Sequence, residues 1–182
     1  MSNKYNINFM KKGLLKRLQH KRSGNYVSLN RASVVGFIID AENKGVGEAV
    51  GYLISELEKR SIKFKGFCVN DSKRPIVHSS IISSPHITSL YRGNTFRNGI
   101  PFTHITDPFL KTKFDILIDL SWPVRSFTAE YILKSANASS AIGIEPYTED
   151  KYDIIITKPE ETEEISQIEL IENIIRLLTT IN

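Results

Sequence analysis

Phe114-Asp115-Ile116-Leu117-Ile118-Asp119-Leu120-Ser121 is the stretch that decides the fold. It is a short, nearly continuous apolar run bounded by polar residues. A strand covered on both faces needs that composition, because neither side of it meets water. A helical pattern follows over residues 124–136, with Phe127, Tyr131 and Ile132 on one face. Strand followed by helix is the repeating unit of a parallel α/β sheet.

Upstream the same unit recurs. Ser33-Val34-Val35-Gly36-Phe37-Ile38-Ile39 is β-branched and apolar and ends in Asp40. A loop over 40–47 leads into a helix over 46–60, whose face carries Val46, Ala49, Val50, Leu53, Ile54 and Leu57. A second strand over 64–69 ends in Asn70-Asp71. This β-α-β unit predicts a right-handed crossover. Downstream, Ala141-Ile142-Gly143-Ile144 and residues 152–157 predict two short strands. A helix over 159–180 closes the chain, with Pro159 in its first turn and Glu160, Glu161, Glu163 and Glu164 near the positive end of its dipole. Its apolar stripe is Ile165, Ile168, Leu170 or Ile171, Ile174, Ile175 and Leu178.

The length of 182 residues suits one domain. The expected fold is therefore a three-layer, Rossmann-like α/β domain over residues 32–182. Its sheet is mainly parallel, with about five strands, and a basic N-terminal helical arm and linker over 1–31 precede it. The middle segment, 72–113, is irregular. Pro75, Pro85, Pro101 and Pro108, with Gly93 and Gly99, oppose long helices. Residues 74–78 and 101–105 are expected as short strands. The stretch between them, holding Tyr91, Arg92, Phe96 and Arg97, is expected to be a lid or binding loop.

Charge is divided along the chain. Residues 1–31 hold eight basic residues, among them Lys11, Lys12, Lys16, Arg17, Lys21 and Arg22, and no acid. Residues 145–172 hold ten acids against two lysines. Residues 7–20 predict a short amphipathic helix, with Leu14, Leu15 and Leu18 on its apolar side and Gly13 weakening it by up to about 1 kcal/mol. Three roles suit such an arm: packing on its own domain, binding nucleic-acid phosphates, or lying on an anionic membrane. This stretch contains few aromatics to stack on bases, so it does not indicate specific single-strand recognition.

Several classes are disfavoured. No apolar stretch approaches the roughly 20 residues that span a bilayer, and lysines and arginines interrupt any signal-peptide core, so a cytoplasmic protein is expected. The single Cys68 forms no intrachain disulfide and sits in an apolar run, as a small buried thiol does. His20, His78, His86 and His104 lack metal-ligand spacing, so no metal and no cofactor are expected. The oligomeric state is not set by the sequence.

In a parallel sheet, ligands bind at the carboxyl ends of strands, near the point where strand order reverses. Those ends carry Asp40 with Asn43, Asp71, and Asp119 with Ser121. These five are the candidate pocket residues. Their competing role is to cap the following turn or helix. Gly45-x-Gly47-x-x-x-Gly51 approaches a dinucleotide fingerprint but displaces its third glycine by one residue. No P-loop and no G-x-S-x-G elbow is present.

The strand of residues 114–121, followed by Tyr131-Ile132, Ser135-Ala136 and Ala141-Ile142-Gly143, resembles the signature of a bacterial domain-of-unknown-function family of short α/β proteins with a basic N-terminus. That resemblance covers most of the chain and implies a fold without an activity. The same strand is similar, more locally, to the end of the N-terminal half of heptosyltransferase-like (GT-B) glycosyltransferases. In that family the C-terminal half mainly holds the nucleotide-sugar. A chain with room for one half would lack that machinery, which implies a binding or scaffolding role. The leading expectation is a non-catalytic interaction protein whose basic arm, through Lys11, Lys12, Lys16, Arg17, Lys21 and Arg22, binds nucleic acid such as ribosomal RNA, or another acidic surface. The alternatives are a small-molecule enzyme or sensor with a nucleotide or sugar-phosphate pocket at the strand ends, and membrane association through residues 7–20.

Overall fold

Among the described residues every strand pairing is parallel, and the strands form one seven-stranded sheet. The computed structural model describes residues 9–18, 21–70, 84–122, 126–144, 152–157 and 166–180. In chain order they form α1 (Phe9–Arg17), β1 (Lys21–Arg22), β2 (Val34–Asp40), α2 (Val46–Lys59), β3 (Lys63–Asn70), β4 (Ile87–Tyr91), α3 (Thr103–Leu110), β5 (Lys113–Leu120), α4 (Phe127–Ser135), β6 (Asn137–Ile144), β7 (Ile154–Ile156) and α5 (Gln167–Thr180).

The pair at the centre is β2 and β5, in register from Val35 with Ile116 to Ile39 with Leu120. Side chains alternate across a strand. Ile116, Ile118 and Leu120 therefore join Phe37 and Ile39 in one core. Leu117 joins Ile38 in the opposite one. Both faces are covered, which is why residues 116–118 at the centre of the run are all apolar rather than alternating. The first core is closed by α2, through Val46, Val50, Leu53 and Leu57, and by α5, through Leu170, Ile174 and Leu178. The second is closed by α3, through Phe109, and by α4, through Ala129, Ile132 and Leu133.

The strand order is β4-β3-β2-β5-β6, with β7 beyond β6. Numbered from β2, this is the order 3-2-1-4-5-6 of doubly wound Rossmann folds. From β2 the chain winds one way through α2 to β3; from β5 it winds the other way through α4 to β6. Right-handed crossovers running in opposite directions must place their helices on opposite faces. The two separate cores record that.

The outer edge of β6 is shared by two short strands. β1 pairs at Asn137 and Ala138, and β7 pairs from Ile142 to Ile144. Residues 21–31 are thus joined to the sheet at one end. At the other, Leu29 is buried in the first core and its amide donates to the carbonyl of Leu178 at 2.8 Å.

Two expectations for the middle segment are corrected. Residues 101–105 are not a strand: Pro101 makes an isolated antiparallel bridge to Thr95, and the chain then enters α3. The helix carries Pro108 in its interior, a placement that costs about 3 kcal/mol in an isolated helix. It forms because the buried Phe109 packs against Phe67 and Phe114, with ring centroids 5.5 and 4.8 Å away. Residues 87–91, expected within an irregular loop, are β4, paired with β3 from Gly66 to Asn70. The expected strand at 74–78 lies outside the described residues. The helix after β5 is described from Phe127 and the last helix from Gln167, and β6 begins at Asn137, ahead of the expected Ala141.

After α2 the chain turns through Ser61, the one described non-glycine residue with positive φ (55°). The amides of Ser61 and Ile62 donate to the carbonyls of Glu58 (2.9 Å) and Leu57 (3.0 Å), a Schellman ending in which glycine is usual at Ser61's position. Left-handed backbone strains an L-residue. Ser61→Gly is expected to raise the unfolding free energy by about 0.5–1 kcal/mol, read from urea denaturation midpoints at unchanged slope.

Candidate functional site

The polar residues expelled from the apolar strands gather at the strand carboxyl ends. Asp40 and Asn70 end β2 and β3. Asn43 follows β2, and Asp119 and Ser121 stand at the end of β5. All five are buried, Asp119 to 1% exposure and Ser121 to 0%. Buried polar groups need partners, and Asp119, Ser121 and Asn43 find them at the end of β5. The Asp119 Oδ1 accepts from the Ser121 amide (2.9 Å) and hydroxyl (2.6 Å). Its Oδ2 accepts from the Tyr152 hydroxyl at 2.5 Å. Tyr152 reaches it by lying flat on Gly143 of β6: a Cβ built there would fall 2.3 Å from the ring. Asn43 donates from Nδ2 to the carbonyls of Leu120 (3.1 Å) and Trp122 (2.9 Å), spanning the switch point between β2 and β5. The Trp122 carbonyl accepts a second bond, from Gln167 Nε2 at the start of α5 (2.7 Å).

The structure thus brings Asp40, Asn43, Asp119 and Ser121 to one edge; Asp71 lies outside the described residues. Of the expected capping roles, turn or helix, Asp119 and Asp40 take the turn. Asp119 closes the turn immediately after its own strand, and Asp40 does the same by accepting the Glu42 amide at 3.0 Å. The cap of α4 is Ser126, whose hydroxyl accepts from the Ala129 amide at 3.2 Å. Tyr152 and Gln167 were not foreseen. Their role comes from the segment before β7 and the start of α5 returning to the end of β5, and neither residue stands in a local motif that signals it.

The glycines after β2 do not build a dinucleotide cradle. Gly45 takes a left-handed turn (φ 78°) at the start of α2. Gly51 faces open space, with nothing within 4 Å of a built Cβ, whereas the third glycine of a fingerprint permits close helix–strand packing. Among the described residues no cluster of three or more His, Cys, Asp or Glu is placed to hold a metal ion. An open groove of about 560 Å³ lies at the opposite end of the sheet, lined by Ile62, Phe64, Lys65 and His86 among others. Its Lys65 ammonium is tied to the Pro108 carbonyl (2.8 Å) and the Thr112 hydroxyl (2.9 Å). Cys68 is buried, and burial, with the charge of Asp40 adding to it, pushes its thiol up to about 12. It is a packing residue and not a nucleophile.

The chain matches the model of a family described as "Family of unknown function (DUF6913)" over residues 3–181. It belongs to that family. No curated protein matches it.

A second surface is built around α1. The helix is docked on the domain: Leu15 is buried, and its carbonyl accepts from Lys134 Nζ of α4 at 3.4 Å. Lys11 lies over the Phe127 ring, with Nζ 4.9 Å from the centroid, a cation–π contact. The same ammonium would stand 3.1 Å from a Cβ at Gly99, whose φ of 84° closes the loop of residues 92–102. Lys16 and Arg17 are exposed. The side chains of Lys12, Lys21 and Arg22 lie outside the described set. The loop that α1 touches carries Arg92 and Arg97, both exposed. A sequence signal for it exists: residues 72–106 contain no Asp or Glu.

Two outcomes follow. Tyr152→Phe removes one of the donors of a buried carboxylate and is expected to cost about 1–3 kcal/mol in chemical denaturation. Cys68 is expected to resist iodoacetamide at pH 8.5 in the folded protein and to react fully in guanidinium, as scored by mass. Its folded pKa lies above the unfolded value near 9.0. Its contribution to stability is therefore intact below pH 9 and declines as pH rises toward 12.

Proposed function

We propose that the protein is a non-catalytic interaction protein that binds nucleic acid, such as ribosomal RNA, or another acidic surface, through the face formed by α1 and the loop of residues 92–102. The observation that carries this reading is the place of Lys11, which joins a basic helix to an acid-free loop bearing Arg92 and Arg97. Together they make one basic surface, and phosphate neutralisation by such a surface supplies most sequence-independent affinity for nucleic acid. A membrane role is less well supported, because Leu15 of the helix's apolar side is already buried on the domain. No helix among the described residues is long and apolar enough to cross a membrane. A cytoplasmic setting is part of the proposal, in keeping with the unpaired, buried Cys68.

Deleting the arm is a poor test, because β1 would be lost from the sheet with it. Charge reversal in the full chain avoids this. Lys16→Glu combined with Arg17→Glu is expected to weaken RNA binding and to reduce the slope of log affinity against log salt by roughly 1.4 for a single strand. Filter-binding titrations between 50 and 200 mM salt read both quantities; an unchanged affinity and slope would sink the reading.

A second reading keeps the strand carboxyl ends as a pocket for a nucleotide or sugar phosphate, in a small-molecule enzyme or sensor. It is supported by the reversal of strand order between β2 and β5, where Asp119 and Asn43 stand. A thermal-shift screen with nucleotides, sugar phosphates and Mg²⁺ tests it. A shift that Asp119→Asn abolishes in a still-folded protein would support this pocket, and silence from every compound would remove it.

A further inference from the structure

We infer that the segment of residues 91–104, from the end of β4 to the start of α3, is a stacking platform for unpaired bases, so that the acidic partner is single-stranded nucleic acid. This inference rests on the reading of the basic surface above and adds the feature that the arm lacks, aromatic rings. Phe96 is 56% exposed and Tyr91 37%, two of only four large hydrophobic side chains exposed among the described residues. Exposure of so much of a large ring is unfavourable. The loop nevertheless holds Phe96 in place. The Phe96 amide donates to the Ile100 carbonyl (2.9 Å), the Gly99 amide to the Phe96 carbonyl (2.8 Å), and the Phe102 amide to the Asn94 carbonyl (2.9 Å). The Tyr91 amide donates to Asn94 Oδ1 (2.9 Å), and Thr95 bridges to Pro101.

The rings form a short series. Phe96 meets Phe102 edge to face, with centroids 4.8 Å apart and planes at 82°. Phe102 stacks on the exposed His104, with centroids 5.9 Å apart and planes at 22°. The contact supports Phe96 from one side and leaves it 56% exposed. The charged side chains of this segment are of one sign. Arg92 and Arg97 are exposed on the same loop, residues 84–106 contain no acid, and Asp107 just beyond is paired with Lys111 at 2.6 Å. Aromatic faces among arginines are the composition that binds single strands: rings take the bases and cations take the phosphates. A duplex hides its base faces and offers only phosphates to such a surface. An anionic membrane would share the charges but not require ring faces, and a leucine would serve it as well as a phenylalanine.

The test compares a fluorescein-labelled 15-nucleotide single-stranded RNA with an RNA duplex of the same length, by anisotropy with the full chain. The wild type is expected to prefer the single strand. Phe96→Ala and Phe96→Leu are each expected to weaken single-strand binding by roughly five- to a hundredfold, with the salt slope and duplex affinity unchanged. Phe96→Leu keeps apolar bulk against Phe102, so its loss reads the ring and not the loop's packing. Phe96→Trp is expected to retain binding. If charge reversal at Lys16 and Arg17 abolishes binding while Phe96→Leu leaves single-strand affinity unchanged, the basic surface stands and the platform falls. If neither RNA binds, or if anionic vesicles bind while both RNAs do not, the underlying reading falls with it.

Discussion

A parallel strand pair covered on both faces dominates this molecule. β2 and β5 lie side by side with Phe37 and Ile39 facing one layer of helices and Ile38 and Leu117 facing the other. Such a pair has no water-facing side on which to place a polar residue. The chain therefore defers its carboxylates and amides to the last residues of the strands and the turns after them. Asp40, Asn70, Asp119 and Ser121 stand where they do for that reason before any functional reason is sought.

Once expelled to the strand ends, those groups are still buried, and each requires partners. Asn43 ties the turn after β2 to the end of β5, and Tyr152 ties the segment before β7 to Asp119. The place where a Rossmann sheet usually opens a crevice is instead crossed by hydrogen bonds between its own halves. Fold does not dictate function, and here the strand order of a nucleotide-binding fold accompanies a turn without the matching glycine spacing. The basic surface around α1 owes nothing to that crevice, and lies against α4 and the loop before α3.

The sheet's centre was legible because its signal is local and redundant. Residues 34–40, 46–59 and 113–120 each carry a period or an apolar run that packing confirms, and their observed limits fall within one or two residues of expectation. The segment before β5 was not legible, because tertiary contacts override local preference there. Pro101 to Ile105 looks like an edge strand by composition, yet Phe109 pulls the following residues into a helix despite Pro108. β4 escaped notice since Leu90 alone among its residues is fully buried. At the site, Asp40, Asn43, Asp119 and Ser121 could be placed from strand ends. Tyr152 and Gln167 could not, since their partners lie 33 and 45 residues away in the chain.

One further consequence lies at the outer edge of β6. β1 takes its first residues and β7 its last. Between them the Gly24 amide donates to the Ser139 carbonyl at 3.1 Å. Asp153 exchanges bonds with Ala141, its amide to the carbonyl at 2.8 Å and its carboxylate from the amide at 2.7 Å. An open strand edge invites another chain to add to it, the route to sheet-to-sheet aggregation. Here segments from opposite ends of the chain meet on one strand and leave it little to offer. The sequence thereby protects a strongly apolar sheet from polymerising at this margin, using a handful of residues that no strand propensity would have selected.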